Sequence, residues 1–172
     1  MNKYFTFRDS IDDDSIDSFI EFLNECNEHD KIDIMFTSGG GSFARARDFA
    51  RIINKDDRIQ NVIFSWAIQS AAVDFCFLTK PSKRIIDKSA WCMIHLSTRN
   101  FDYRNEIKKD ACQEFLRNDI MIDNYKTIEL LRKIKVSEDD INKCVKGEDI
   151  YFHNCDFMKF IENYDKEVAI YA

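Results

Sequence analysis

An α/β protein with a mostly parallel sheet is what the sequence predicts, on three observations. First, short apolar or alternating runs at 4–8, 32–37 and 62–66 are separated by segments whose apolar residues recur every three or four positions. Period 2 giving way to period 3.6 and back again is the pattern of βαβ units. Second, Val62, Ile63, Phe64 and Trp66 make a nearly unbroken apolar run, as a strand covered on both faces of a parallel sheet requires. Third, of only four glycines in the chain, three stand side by side at Gly39, Gly40 and Gly41, between a strand and a helical pattern. A strand, a glycine turn and a helix N-terminus expose backbone N–H groups and the positive end of a helix dipole, a place suited to an oxyanion, a carboxylate or a phosphate.

Taken in order, residues 4–8 form a first strand, and Asp12, Asp13 and Asp14 place negative charge where a helix begins. Ile16, Phe19, Ile20 and Leu23, at i, i+3, i+4 and i+7, predict an amphipathic helix over about 14–28. Ile32, Ile34 and Phe36 alternate with Asp33, Met35 and Thr37 in a second strand that delivers the glycines. Ser42 then caps a helix with Ala46, Phe49, Ala50 and Ile53 on its core face. After a polar turn over 54–61 comes the third strand, 62–66, and Ser70-Ala71-Ala72 opens a helix to about Thr79. Pro81, the only proline, separates it from short strands at 84–86 and 91–95. Residues 101 to about 135 contain neither Gly nor Pro and predict one long helix, with Ile107, Ala111, Phe115, Ile122 and Tyr125 along one face. Such a helix should project and pack on something, for example a second subunit. Ser137-Glu138-Asp139-Asp140 resembles a capping box, Gly147 ends the short helix it starts, 149–152 is extended, and Asn154 caps a last helix through about Ile161.

Composition narrows the class. The 172 residues are 45 % apolar and 13 % aromatic, enough for a single globular domain with a substantial core. A formal charge of −6 argues against a nucleic-acid or anionic-membrane surface. Cys26, Cys76, Cys92, Cys112, Cys144 and Cys155 form no CxxC pair and no zinc spacing, and read as mostly buried, reduced thiols. His29, His95 and His153 form no ligand pattern, so no metal or other cofactor is expected. No signal peptide opens the chain and its longest uncharged run, 61–73, is too short to span a bilayer, which points to the cytoplasm.

Three residue types able to form a nucleophilic triad sit at ends of elements. Ser70 stands at a strand-to-helix transition, His95 at a strand end, and Asp149 just after Gly147. In a triad the imidazole takes the serine proton, the carboxylate fixes its tautomer, and backbone N–H groups hold the oxyanion. By residue type alone, a serine there is more often a helix cap, and the aspartate a turn acid.

The order of segments resembles the proteolytic subunit of the Clp protease, a serine peptidase of the crotonase-like (ClpP) fold. Phe7-Arg8-Asp9-Ser10-Ile11-Asp12 resembles its opening strand and turn, and Thr37-Ser38-Gly39-Gly40-Gly41-Ser42 its Asn-Ser-Pro-Gly-Gly-Ser loop. Ala67-Ile68-Gln69-Ser70-Ala71-Ala72 occupies the place of the nucleophile segment, and Met93-Ile94-His95 matches the Met-Ile-His that bears the histidine. Glu148-Asp149-Ile150-Tyr151-Phe152 resembles the segment with the aspartate, which a helix and a last strand follow in the family. The sequence departs from the family at Gly39 for proline, at Glu148 for arginine, at Ser97 for proline, and at the bulky Trp66, Ile68 and Gln69 before the nucleophile.

What the resemblance implies is a fold of repeated ββα units with a projecting handle over about 101–146. Ser70 would be the nucleophile, His95 the general base and then acid, Asp149 the orienting carboxylate, and Gly40 and Ala71 the oxyanion-hole donors. The implied substrate is a peptide or unfolded protein, and the implied assembly a homo-oligomer, as a heptameric ring or stacked rings. An AAA+ ATPase partner is a weaker implication, because the chain opens almost at its first strand without the family's axial loops. Two other readings compete. Gly39-Gly40-Gly41-Ser42-Phe43-Ala44 fits a dinucleotide G-x-G-x-x-A, but Phe64-Ser65-Trp66 supplies no acid for a ribose. A catalytically silent ring or interaction subunit of the same fold would tolerate Trp66 and Gln69, but has no need to keep a serine, a histidine and an aspartate in order.

Overall fold

The computed structural model describes residues 1–96 and 109–170, the side chains of 109–120 and 169–170 excepted. The fold is α/β. The elements are β1 (Asn2–Phe7), α1 (Asp13–Glu25), β2 (Lys31–Ser38), α2 (Phe43–Lys55), β3 (Ile59–Gln69), α3 (Ala71–Leu78), β4 (Arg84–Ile86), β5 (Trp91–Ile94), α4 (Lys109–Lys133), α5 (Glu138–Val145), β6 (Ile150–His153) and α6 (Asn154–Ile170). Among the described residues six strands form one sheet in the order β1-β2-β3-β5-β6, with β4 also paired to β3. The β1/β2, β2/β3, β3/β4 and β3/β5 pairs are all parallel. The chain divides into two compact units, Met1–Ile94 with Tyr151–Ala172, and His95–Ile150.

In the first unit the alternation in β2 acts as the sequence predicts: Ile32, Ile34 and Phe36 are buried while Met35 is exposed. The covered face meets helices through phenylalanines. Phe7 and Phe36 from the sheet, Phe19 from α1, Phe49 from α2 and Phe75 from α3 lie with ring centroids 4.6–6.3 Å apart, and Phe49 and Phe75 stack within 8° of parallel. Each ring removes apolar surface from water worth roughly 2–3 kcal/mol and adds edge and stacking terms. α1 starts at a capping box in which Asp12 accepts from Ser15 N–H and Ser15 Oγ accepts from Asp12 N–H. Arg84 fastens α6 to this core: its guanidinium donates to the Cys76 and Phe77 carbonyls at the end of α3 and to both oxygens of Asp165, at 2.6 and 2.5 Å.

β3 is longer than the predicted 62–66. Gln60, Asn61 and Gln69 made its ends look like turns, yet it runs across a bulge and changes neighbour. Val62–Phe64 pair with β4 and Ala67–Gln69 with β5. Against β2 the register passes from Phe36↔Phe64 to Ser38↔Ile68, so β3 carries two extra residues there. Trp66 sits in this bulge at φ 58° with its side chain 68 % exposed.

The second unit holds α4 and α5. The capping motif at Ser137 forms, its Oγ accepting from Asp140 N–H at 3.2 Å. Of the long predicted helix, 109–133 is helical; residues 101–108, Ile107 among them, lie outside the described residues, as do the side chains of Ala111, Cys112 and Phe115. Met121, Ile122 and Tyr125 of α4 are more than half exposed. α4 ends with Lys135 at φ 64° and the Val136 N–H on the Leu131 carbonyl, and α5 ends in the same way at Gly147, φ 91°.

The last helix corrects another expectation. α6 continues to Ile170, so the closing strand implied by the resemblance is not formed among the described residues. Phe157, Phe160 and Ile161 are buried and Tyr164 packs on Phe77, so the amphipathic pattern of α6 extends past Ile161 and finds a surface to cover. Cys26, Cys76, Cys92 and Cys144 are buried free thiols; Cys155 is exposed. No helix among the described residues is long and apolar enough to cross a membrane.

Candidate active site

Ser70 is the single residue between β3 and α3, and its backbone lies at φ 51°, ψ −126°. A non-glycine residue holds such a conformation only where its surroundings impose it, at roughly 1–3 kcal/mol. They do so from both sides. The Ser70 N–H donates to the Met93 carbonyl of β5 (2.9 Å), and its carbonyl accepts from Val73 N–H in the first turn of α3 (2.9 Å). Ala71 and Ala72 are completely buried, so the helix starts as close to the sheet as small side chains allow. The Ser70 hydroxyl does not cap α3, which removes the ordinary structural role of a serine at that place. A strained strand-to-helix turn that presents a serine is the geometry of a nucleophile elbow.

The glycine turn abuts this elbow. A Cβ on Gly40, at φ 100°, would lie 2.7 Å from the Gln69 carbonyl oxygen, 2.7 Å from Ser70 Cβ and 3.2 Å from Ala71 N. Gly41, at φ 141°, presses on Ile11, whose N atom would be 2.8 Å from a Cβ. The close approach that glycine permits is thus used by the chain itself, and a dinucleotide cradle is not needed to explain it. Gly39 has no positive φ, and the nearest atom to a Cβ there is Gln69 Oε1 at 3.9 Å.

The expected oxyanion donor at Gly40 needs correcting. The Gly40 N–H donates to Ser38 Oγ (3.1 Å), a buried hydroxyl that itself donates to the Asp9 carbonyl (2.7 Å). The Gly40 carbonyl accepts from Ile11 N–H (2.7 Å). In a trans peptide the next N–H, that of Gly41, points opposite to that carbonyl. It therefore points away from Ile11, and it makes no hydrogen bond to another described residue. Three consecutive glycines gave no sign of which N–H would be spent internally; that depends on Ser38 and Ile11, brought in from β2 and from the turn after β1.

His95 and Asp149 meet within the second unit. His95 follows β5 directly and Asp149 precedes β6, and the imidazole Nδ1 lies 3.6 Å from Asp149 Oδ1. That is an ion-pair separation for an imidazolium and longer than a hydrogen bond, as catalytic contacts often are before substrate binds. With Nδ1 facing the carboxylate, Nε2 is directed to the opposite side of the ring. The imidazole is about one-third exposed and the carboxylate nearly half.

Of the residues singled out in the sequence, Gly40, Ser70 and Ala71 are thus together in one unit, and His95 and Asp149 together in the other. No group of three or more His, Cys, Asp or Glu among the described residues could hold a metal ion. No protein-family model matches the chain, and no curated protein matches it either.

Proposed function

We propose that the chain is a serine peptidase of the ClpP-like kind, cleaving peptide bonds through an acyl-enzyme on Ser70. The observation that carries this reading is the Ser70 turn: a strained residue between strand and helix, its hydroxyl not spent on capping, with a glycine turn pressed against it. On this reading Ser70 Oγ attacks the substrate carbonyl while His95 Nε2 takes its proton. Asp149 steadies the imidazolium through Nδ1. The tetrahedral oxyanion is held by Ala71 N–H and, in place of Gly40, by Gly41 N–H; one such donor is typically worth about 3–4 kcal/mol of barrier. His95 returns the proton to the leaving amine, water repeats the attack, and the carboxylic acid leaves. The exposed apolar residues Met121, Ile122 and Tyr125 of α4 support the handle reading, with a second subunit covering them in a ring or stacked-ring homo-oligomer.

The alternative is a catalytically silent subunit of the same fold, which the 3.6 Å between Nδ1 and Asp149 fits as well as it fits a triad before substrate binds. Intact mass after incubation with a fluorophosphonate separates the two. Labelling of the wild type that disappears in Ser70→Ala is expected. Labelling that persists in the variant removes Ser70 as nucleophile, and an assembled wild type that does not react removes the enzyme.

A further inference from the structure

The proposed reaction leaves one cleft of the first unit unused. On the face of the sheet away from the phenylalanines lies a half-open cleft of about 470 Å³, whose walls include Thr6 and Arg8 of β1, Met35 and Thr37 of β2, and Ser65 and Trp66 of β3. Strand alternation places the first four there: Phe7 and Phe36 turn their rings to the core, so their neighbours turn the other way. Ser65 follows Phe64, another core ring, and obeys the same rule. Trp66 breaks it. A regular strand would return it to the core face, but the bulge holds it at φ 58°, with its main-chain N–H on Ser89 Oγ at 3.4 Å and its side chain in the cleft wall. A bulky residue at positive φ is a true outlier, and such strain persists mainly where function uses it. Trp66 is also a position at which the sequence departs from the family it resembles, so the resemblance assigns it no role. Two polar groups of the cleft are unpartnered. The Ser65 hydroxyl belongs to a residue only 7 % exposed and bonds to no other described residue. A buried hydroxyl in that state calls for a partner from outside. The Arg8 guanidinium pairs with no described residue either, and no acid lines the cleft, although the chain as a whole carries −6.

We propose that this cleft is a binding site for a small aromatic carboxylate. The guanidinium fork of Arg8 matches the two oxygens of a carboxylate, and the Ser65 hydroxyl supplies a further donor from the buried wall. The Trp66 indole and the Met35 thioether give a planar ring an aromatic face and a polarisable contact. A carboxylate suits the cleft better than a phosphate dianion, because one cation stands there. The volume falls within the range of about 300–1,000 Å³ usual for small-molecule sites. The same chemistry can arrive in two forms, as a free aromatic acid or as the C-terminus of a peptide ending in an aromatic residue. The site lies wholly within the first unit, uses no residue of the proposed triad, and does not rest on the peptidase reading.

The test is calorimetric titration of the full-length protein with 2-naphthoate, and with 2-naphthalenemethanol as the same ring without the charge. Naphthoate is expected to bind with a Kd of about 1 mM or tighter, and the alcohol at least about tenfold more weakly. Arg8→Gln should weaken naphthoate about tenfold or more, to the level of the alcohol. Ser65→Ala should weaken it about threefold or more at an unchanged or higher melting temperature, since that hydroxyl has no internal partner to lose. Trp66→Gly should abolish binding without lowering the melting temperature, because glycine takes φ 58° freely and the ring removed is 68 % exposed. N-acetylphenylalanine and its amide form the second arm. Binding of that acid, sensitive to the same three substitutions, identifies a peptide terminus as the ligand; binding of naphthoate alone identifies a free aromatic acid, and either upholds the site. Failure of both acids to bind overturns it, as do an alcohol that binds as tightly as naphthoate and folded Arg8→Gln or Trp66→Gly proteins with wild-type affinity. Fluorophosphonate labelling of Ser70 enters none of these readings, so the site and the peptidase fail separately.

Discussion

Substituting alanine in turn at the three consecutive glycines separates backbone necessity from mere composition, and Gly40 is where the two coincide. At φ 100° an L-residue costs about 1–2 kcal/mol. The added Cβ would stand 2.7 Å from the Gln69 oxygen and from Ser70 Cβ, where ordinary contact begins at 3.4 Å, so elbow and turn must separate by about 0.7 Å. Forcing such overlap into a packed interior costs typically about 1–3 kcal/mol. The sum for Gly40→Ala is about 2–5 kcal/mol, a large part of the roughly 5–15 kcal/mol that holds a domain folded. Gly39→Ala, one residue away, meets nothing closer than 3.9 Å and needs no positive φ, so it should be neutral or stabilising by up to about 1 kcal/mol. In urea, with a slope of about 2 kcal/mol/M, the Gly40→Ala midpoint should fall at least about 1 M below that of Gly39→Ala. Because the displaced atoms belong to Ser70 and Ala71, labelling by fluorophosphonate should fall with it even where the variant is fully folded. Equal midpoints for the two variants would refute the packing argument. A folded Gly40→Ala protein that labels at the wild-type rate would refute the link from the glycine turn to the elbow.

Other expectations follow from single side chains. Arg84→Ala leaves the Cys76 and Phe77 carbonyls and the Asp165 carboxylate without a guanidinium whose side chain is 2 % exposed, and should cost about 3–5 kcal/mol in urea or thermal unfolding. Lys135→Gly relieves a side chain held at φ 64° at the end of α4 and should raise stability by about 0.5–1 kcal/mol, seen as a higher melting temperature. The Arg58 guanidinium holds the Asp56 carboxyl below its ordinary 3.8. A carboxylate depressed in the folded state stabilises above about pH 4 and loses that stabilisation as pH falls through its folded value. The stability gap between wild type and Asp56→Asn should therefore be widest near neutrality and shrink on acidification; a gap that does not vary with pH refutes the pairing. Burial pushes the Cys92 thiol up to about 12 and Cys76 further, so iodoacetamide at pH 8 should mark Cys155 in the native protein and these two only after unfolding, as a peptide mass map will show.

Much of this arrangement was legible in the chain because its signals are local. The i, i+3, i+4 spacing of Ile16, Phe19 and Leu23, the alternation through Ile32, Ile34 and Phe36, and the caps at Ser42 and Ser137 each depend on neighbours within one turn or one strand. The positions of Ser70, His95 and Asp149 beside element ends were readable for the same reason. The bulge in β3 was not, because it exists only where β4 hands over to β5. Nor was the length of α6, whose second half is held by Phe77 and Arg84 from far along the chain.

The sequence by itself determined the alternation of strands and helices, the parallel sheet this demands, and the junctions where a serine, a histidine and three glycines fall. Periodicity and capping are short-range properties, written in the side chains that obey them. Only the tertiary structure decided which glycine N–H is spent and which is not, and that the Ser70 hydroxyl leaves its helix uncapped. Both depend on hydrogen-bond partners that only the folded chain brings in: Ile11 for the turn, Asp9 for the Ser38 hydroxyl that holds the Gly40 N–H, and Met93 for the elbow. A donor has one direction, and which acceptor lies along it is known only when the chain has closed on itself.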